Sequence, residues 1–261
     1  LHSDHVRINH DKLTRYAQSL PEQPPENLFD LDNHYVGSKE QTAAFVIILD
    51  ALNFGSGYKP YLKEEGLDLV NGSIYFTLTQ ALKKAFDSGA PVTPDTISGI
   101  LGLPENGRYS AEFGAHCRQS LTEVFTLVQH GGFYDFVTGC NGSVATLMKR
   151  LSTLPLFDDA DLYKGRKVGL YKRAQIMAAD LHLAFNHLGV KVFDDVDKLT
   201  MFADNAVPHV LHMDGILDYT PELAGQIARR DPVEQGSAEE VEIRANAAHT
   251  VELIAKLKGL R

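Results

Sequence analysis

Gln41-Thr42-Ala43-Ala44-Phe45-Val46-Ile47-Ile48-Leu49-Asp50-Ala51-Leu52-Asn53-Phe54 is the stretch on which the fold assignment turns. Wound at 3.6 residues per turn, it is apolar on nearly every side, which marks a helix buried in the middle of a protein rather than one lying on its surface. The uninterrupted apolar run from Ala43 to Leu49 ends at Asp50. It is far short of the roughly 20 residues that a membrane span needs. Gly55-Ser56-Gly57 then breaks the helix.

Outward from this core helix, helical punctuation recurs. Ser73 to Phe86 resumes a helical pattern up to Ser88-Gly89, and Tyr171, Ala174, Met177, Leu181, Ala184 and Leu188 form a stripe at helical spacing. Thr93-Pro94, Thr220-Pro221 and Ser237-Ala238-Glu239-Glu240 each write a helix start, with a capping side chain before a Pro or three residues before a Glu. The last opens a long helix through Ile243, Ala247, Val251, Ile254 and Leu257, with Glu240 and Arg244 placed to pair and Gly259 at its end. Strand signals are confined to Ile74-Tyr75-Phe76-Thr77 and Arg166-Lys167-Val168-Gly169-Leu170. The reading is an all-α or nearly all-α domain with room for a small β ribbon. The soft spots, Pro21 to Glu26 and Arg229 to Gly236, do not divide the chain, so residues 1–261 are expected to form a single helical domain. Two helical lobes would look the same in sequence.

Composition narrows the function classes. The 261 residues are 44% hydrophobic and 23% charged, a globular balance that excludes disorder. With 25 Lys+Arg against 34 Asp+Glu, the net charge of -9 disfavours binding of long nucleic acids, whose affinity rests on cationic contacts to phosphate. Leu1-His2-Ser3-Asp4-His5 carries no basic-then-apolar leader, and Cys117 and Cys140 stand apart without a metal or redox pattern. Free thiols and a cytoplasmic location are expected.

Three places invite chemistry. Asp50 and Asn53 share a face of the most apolar helix, as a polar plug for a neighbouring loop or as the floor of a ligand pocket. In Phe202-Ala203-Asp204-Asn205-Ala206-Val207-Pro208, the ring of Pro208 would clash with the carbonyl of Asp204, so a helix from Asp197 is expected to end near Asp204. A carboxylate there faces the wrong end of the helix dipole and is either an exposed turn residue or a platform for a catalytic group. Lys172 and Arg173, preceded by Lys164, Arg166 and Lys167, form either a solvated basic turn or a phosphate site at a helix start. His209 with His212, and His182 with His187, lack a zinc pattern, so no metal and no cofactor are expected. Hydrolase-elbow, Walker and dinucleotide-binding motifs are absent from the sequence.

The same three places resemble the queuosine salvage family of queuosine 5'-phosphate N-glycosylases. Leu49 to Phe54 is similar to the family's Asp-x-Leu-Asn-Phe motif, and Gly131-Gly132-Phe133 to Leu147 to its glycine-aromatic segment. Tyr163 to Val168, Tyr171-Lys172-Arg173-Ala174-Gln175-Ile176 and Ala179-Asp180 resemble its central block. Leu199-Thr200-Met201-Phe202-Ala203-Asp204 resembles its catalytic block, and Val241 to Ala245 with Val251 to Ile254 its late helix.

The resemblance implies a scaffold similar to the helix-hairpin-helix DNA glycosylases. It implies hydrolysis of queuosine 5'-monophosphate to release queuine for tRNA modification, with no membrane partner. Asp204 falls at the position of the family's catalytic aspartate, where a carboxylate stabilises oxocarbenium character or forms a covalent bond. Lys172 and Arg173 are the matching phosphate cations. His34, Asp50 and Asn53 are candidates for the cationic arm of queuine. Phe54, Tyr58 and Phe202 are candidate stacking walls, and Gln175, Asn205 and His209 further substrate-binding positions. The departures are also specific. Many relatives continue Tyr-Arg-Val-Pro-Gln after the aspartate, where this chain has Asn205-Ala206-Val207-Pro208-His209, and Gly55-Ser56-Gly57-Tyr58 stands where relatives often have a Trp-containing segment. The family usually continues past the late helix into a segment with a Leu-Trp-Asp type motif; this chain has no Trp and stops at Arg261, so that segment is either absent or outside these 261 residues. A DNA-repair glycosylase and a non-catalytic nucleobase-binding protein are the alternative readings.

Overall fold

The computed structural model describes residues 3–22 and 29–260. In chain order the elements are β1 (Val6–Ile8), α1 (His10–Ser19), α2 (Lys39–Ala51), α3 (Lys59–Glu64), α4 (Ile74–Ser88), α5 (Ile97–Ile100), α6 (Arg108–Val128), α7 (Phe133–Thr138), α8 (Val144–Leu151), β2 (Ala160–Tyr163), β3 (Arg166–Gly169), α9 (Lys172–His187), α10 (Ala206–Met213), β4 (Leu217–Tyr219), α11 (Pro221–Ala228) and α12 (Ala238–Leu257). The protein is mostly helical, with small two-stranded sheets. Two compact units partition the chain: Leu1–Glu26, Phe157–Gln175 and Asp197–Arg261 in one, Asn27–Leu156 and Ile176–Val196 in the other. The soft spot at 21–26 and both chain ends fall partly outside the described residues.

The unit of Asn27–Leu156 and Ile176–Val196 is organised on α2. Nine of the 13 residues of α2 are buried, because α4, α6 and α7 all pack on it. Phe45, Ile47, Ile48 and Leu49 are each at most 2% exposed, and burial of each such side chain contributes roughly 1.5–3 kcal/mol. A capping box starts the helix at Lys39, two residues before the stretch that opens at Gln41: Gln41 N–H donates to Ser38 Oγ, and Ser38 N–H to Gln41 Oε1. Ser73 caps α4 through Phe76 N–H, and Gly89, at φ 70, ends it. Ile74–Thr77 therefore lies inside a helix and is no strand.

The unit containing α12 has its own core, in which Val6, Leu13, Ala17, Leu211, Leu217, Leu223, Ala247 and Ile254 pack together. Thr220 caps α11 ahead of Pro221, and Ser237 caps α12 through Glu240 N–H. The ribbon over Arg166–Gly169 forms as expected, antiparallel to Ala160–Tyr163. Its two-residue turn places both Lys164 and Gly165 at positive φ, the arrangement whose twist matches the strands. A second ribbon that periodicity did not predict pairs Val6 with Tyr219 and Ile8 with Leu217. Three residues per strand are too few to show alternation. Glu242 of α12 pins that ribbon's edge, its buried carboxylate accepting from the N–H groups of Asp4, His5 and Val6 and from the hydroxyl of Tyr163.

A further local expectation is corrected. No helix runs from Asp197 to Asp204: a single 3-10 turn spans Val196–Lys198, and Leu199–Asp204 is irregular. Pro208 ends no helix. It sits in the first turn of α10, where a missing N–H costs nothing and its fixed φ suits the helix. Asp204 consequently stands at a helix N-terminus, the favourable end of the dipole for a carboxylate.

Candidate active site

Asp204 is held by the helix that follows it. Its Oδ1 accepts hydrogen bonds from Ala206 N–H at 2.9 Å and Val207 N–H at 3.1 Å. These satisfy two of the donors that the first turn of any helix leaves orphaned. Asp204 N–H in turn donates to Phe202 O at 2.7 Å, closing a tight turn around the buried Ala203. Oδ2 makes no hydrogen bond among the described residues, and the side chain is partly exposed. Glu65, Glu40 and Asp195 likewise cap α6, α7 and α8 from distant positions, so capping alone does not single out Asp204. What distinguishes it is an Oδ1 fixed by two N–H groups beside an Oδ2 with no hydrogen bond among the described residues, on a partly exposed side chain. Phe202 is partly buried, whereas Asn205 and His209 are exposed.

The carbonyl of Ala203 receives Arg244 Nε at 2.9 Å. Arg244 is on α12, and its Nη1 and Nη2 meet Asp159 Oδ1 and Oδ2 at 2.8 and 2.7 Å, with Nη1 also 3.0 Å from Glu240. Burial opposes the guanidinium's charge, but the bonds to Asp159 and Glu240 outweigh it and raise the pKa of Arg244 above its ordinary value. Asp159 reaches further: its Oδ2 accepts Lys172 N–H at 2.9 Å, and its carbonyl accepts the N–H groups of Leu170 and Tyr171. The start of α9 and the turn before Asp204 are thus tied to one ion pair within one unit. Gln175 adds a second tie, donating from Nε2 to Leu170 O and Thr200 Oγ1 while its Oε1 accepts Thr200 N–H. The guanidinium of Arg173 lies over the ring of Phe157, 4.7 Å from its centroid. Lys164 and Lys167 pair with Asp4 and Asp158, so these members of the basic cluster serve surface ion pairs.

In the other unit, Asp50 is completely buried on α2. His34 is 4% exposed, stacked on Phe29 at 4.2 Å, with Nδ1 2.9 Å from Asp30 O and Nε2 3.0 Å from Tyr75 Oη. Burial lowers the His34 pKa, favouring the neutral ring. The Tyr75 hydroxyl is pushed well above its ordinary value, first by burial and then by the charges of Asp180 and Asp50. Burial also raises the Asp180 carboxyl to about 7. His34 and Tyr75 are thus hydrogen-bonded to each other in this unit, and the charges of Asp50 and Asp180 act on the same Tyr75 hydroxyl. Asn53 follows the helix end, where its N–H bonds to Asp50 O. Phe54 and Tyr58 converge on Phe113 and His116, with ring centroids 5.4–6.4 Å apart, and Tyr58 Oη donates to Glu112 at 2.6 Å.

The sequence does not single out Asp180, Tyr75, Asp159 or Arg244 as site residues. Asp180 could have been found, because it interrupts the apolar stripe between Met177 and Leu181 just as Asp50 interrupts α2. Asp159 could not, since Asp158-Asp159-Ala160-Asp161 reads as a solvated acidic turn.

The family profile described as "Queuosine salvage protein" matches residues 112–259, which include Asp159, Lys172, Asp180, Asp204 and Arg244. A Sphaerobacter thermophilus protein named queuosine 5'-phosphate N-glycosylase/hydrolase is 34% identical, over 98% of this chain and 82% of its own length. Proteins of the same name from Dictyostelium discoideum and Schizosaccharomyces pombe are 32% and 26% identical, covering 96% and 97% of this chain and 81% and 82% of their own lengths.

Proposed function

The chain belongs to the queuosine salvage protein family, and on that premise we propose that it hydrolyses the N-glycosidic bond of queuosine 5'-monophosphate. Water adds across the bond between queuine and the ribose, giving the free base for salvage and ribose 5-phosphate. The observation that carries the mechanism is the geometry of Asp204, one oxygen fixed by two backbone N–H groups and the other unbonded among the described residues. As the bond to the base stretches, positive charge grows at the anomeric carbon. A carboxylate oriented beforehand stabilises that charge without having to reorganise, or adds to the carbon covalently before water displaces it.

Lys172 and Arg173, at the start of α9, are the proposed partners of the 5'-phosphate. The proposed recognition set for the cationic arm of queuine is His34, Asp50 and Asn53, to which Asp180 is added: a cation beside a raised carboxyl favours its ionised form. Phe54, Tyr58 and Phe202 are proposed to stack on the base, and Gln175, Asn205 and His209 to contribute polar contacts, Gln175 through the Thr200 turn that it braces.

Residues 1–261 are read as one functional domain, a reading supported by relatives that match 96% to 98% of the chain. The helical content supports kinship with the helix-hairpin-helix DNA glycosylases. The free, buried Cys117 and Cys140 support a reducing, cytoplasmic location.

The test is incubation with queuosine 5'-monophosphate and, separately, with the unphosphorylated nucleoside, following base release by chromatography. Release from the monophosphate that is lost in Asp204→Asn is the expected result. No release by the intact protein, or full release by Asp204→Asn, overturns the reading. Tight queuine binding without turnover would instead identify a binding protein.

A further inference from the structure

We propose that Arg244 is the positioning residue of Asp204, setting the orientation of that carboxylate through the Ala203 carbonyl rather than by touching substrate. The proposal rests on the reading of Asp204 as the catalytic carboxylate. Its warrant is a chain of short bonds within one unit. Ala203 immediately precedes Asp204, and the turn around it is closed by Asp204 N–H on Phe202 O at 2.7 Å. That turn belongs to no helix or strand, so no regular backbone ladder determines where it sits. Arg244 Nε holds it at the Ala203 carbonyl, from a side chain only 14% exposed.

The guanidinium is itself immobilised. A two-toothed bond to Asp159 fixes its plane, and Glu240, one turn earlier on α12, fixes the near edge. Nε then points at Ala203 O as a consequence of that plane. Lys cannot reproduce this, since an ammonium is a point charge without a fork and cannot meet Asp159 and the carbonyl in one rigid geometry. Asp159 carries the same constraint to the first residue of α9 by accepting Lys172 N–H. One ion pair therefore sets the backbone at both 203 and 172.

The test uses the full chain with Arg244→Lys and Asp159→Asn. Base release from queuosine 5'-monophosphate gives kcat and KM, and amide exchange by NMR reports on Ala206 and Val207, the two donors to Asp204 Oδ1. Because misplacement by about 1 Å costs about 100-fold in rate, Arg244→Lys is expected to lower kcat by about 10- to 100-fold, with KM within about threefold. The Ala206 and Val207 amides should exchange at least about tenfold faster while those of α1 keep their wild-type rates. A merely structural Arg244 would speed exchange throughout its unit and leave kcat per folded molecule unchanged. Wild-type kcat in Arg244→Lys, or unchanged exchange at Ala206 and Val207, overturns the proposal. Should the wild type release no base, the proposed reaction fails while the exchange measurement still decides the role of Arg244. If Arg244→Lys does not fold, Asp159→Asn carries both readouts.

Discussion

Glu242 accepts a hydrogen bond from the Tyr163 hydroxyl at 2.5 Å, so a carboxylate on α12 binds the end of the β2 strand as well as the backbone from Asp4 to Val6, the first residue of β1. Burial pushes this carboxyl up, but Tyr163 and the backbone N–H groups of Asp4, His5 and Val6 outweigh it and hold the pKa below its ordinary value of 4.5. A depressed acid stabilises the fold above its unfolded-state value, and that contribution disappears as pH falls through the lower folded value. The unfolding midpoint should therefore drop below pH 4.5. Glu242→Gln should flatten the drop and cost about 2–3 kcal/mol at pH 7, the scale of lost hydrogen bonds to a charged acceptor. Denaturant titrations at pH 3 to 7 measure both, and equal acid sensitivity in the two proteins would refute the assignment.

Asp180 is the opposite case. Burial raises its carboxyl to about 7, so the folded chain holds this proton more tightly than the unfolded chain, whose value lies near 3.8. Between those values rising pH removes the proton from the unfolded state first, and the folded state loses relative stability until about pH 7, beyond which the deficit is constant. Asp180→Asn should escape this loss. Its stability relative to wild type should rise from pH 4 to pH 8, and a difference independent of pH would show that Asp180 titrates normally.

Asp204 caps α10, and its proposed catalytic role is separable from that cap. Asp204→Asn retains an oxygen to cap α10 and should keep wild-type stability while losing most base release. Asp204→Ala removes the cap and should cost a further ~1 kcal/mol of unfolding free energy. Equal melting of the two variants would mean that the bonds to Ala206 and Val207 contribute nothing to stability.

Gly55 and Gly57, two residues apart, should respond differently to Ala. Gly55 has φ +90, and a Cβ there would lie 2.4 Å from Phe113 Cε2, whereas nothing lies within 4 Å of one at Gly57. Gly55→Ala combines backbone strain with overpacking and should cost about 2–4 kcal/mol. Gly57→Ala should stay within about 0.5 kcal/mol. Calorimetry on the pair decides it.

The two thiols should be silent in the native state. Cys117 is fully buried, and burial pushes its pKa up to about 12; burial also raises Cys140, against the lowering effect of Arg150. Thiolate reagents at pH 8 should modify neither until denaturant is added. Rapid modification of the folded protein would contradict the burial of both side chains.

Much of the fold was legible because its signals are local. Ser73, Thr220 and Ser237 each cap a helix three residues or fewer away, and the all-round apolarity of α2 needs no knowledge of its neighbours. The same holds for Asp50, anomalous by its position in an apolar run, and for the motifs that carry family membership. The acidic net charge and the buried core helix α2 were likewise readable without coordinates.

Only the tertiary structure decided the rest. Pro208 obeys two local rules that disagree, since the same ring ends one helix and fits the first turn of another, and packing of Leu211 into the core selected the second. That choice moved Asp204 from an unfavourable helix end to a favourable one. Val6 finds Tyr219, and Asp159 finds Arg244, across 213 and 85 residues of chain. No periodicity within a few residues encodes such partners, because their meeting depends on how every intervening element packs. Local chemistry thus determined most of the helices and which family the chain belongs to, and long-range packing determined the β1–β4 ribbon, the place of α10 and what holds the candidate carboxylate.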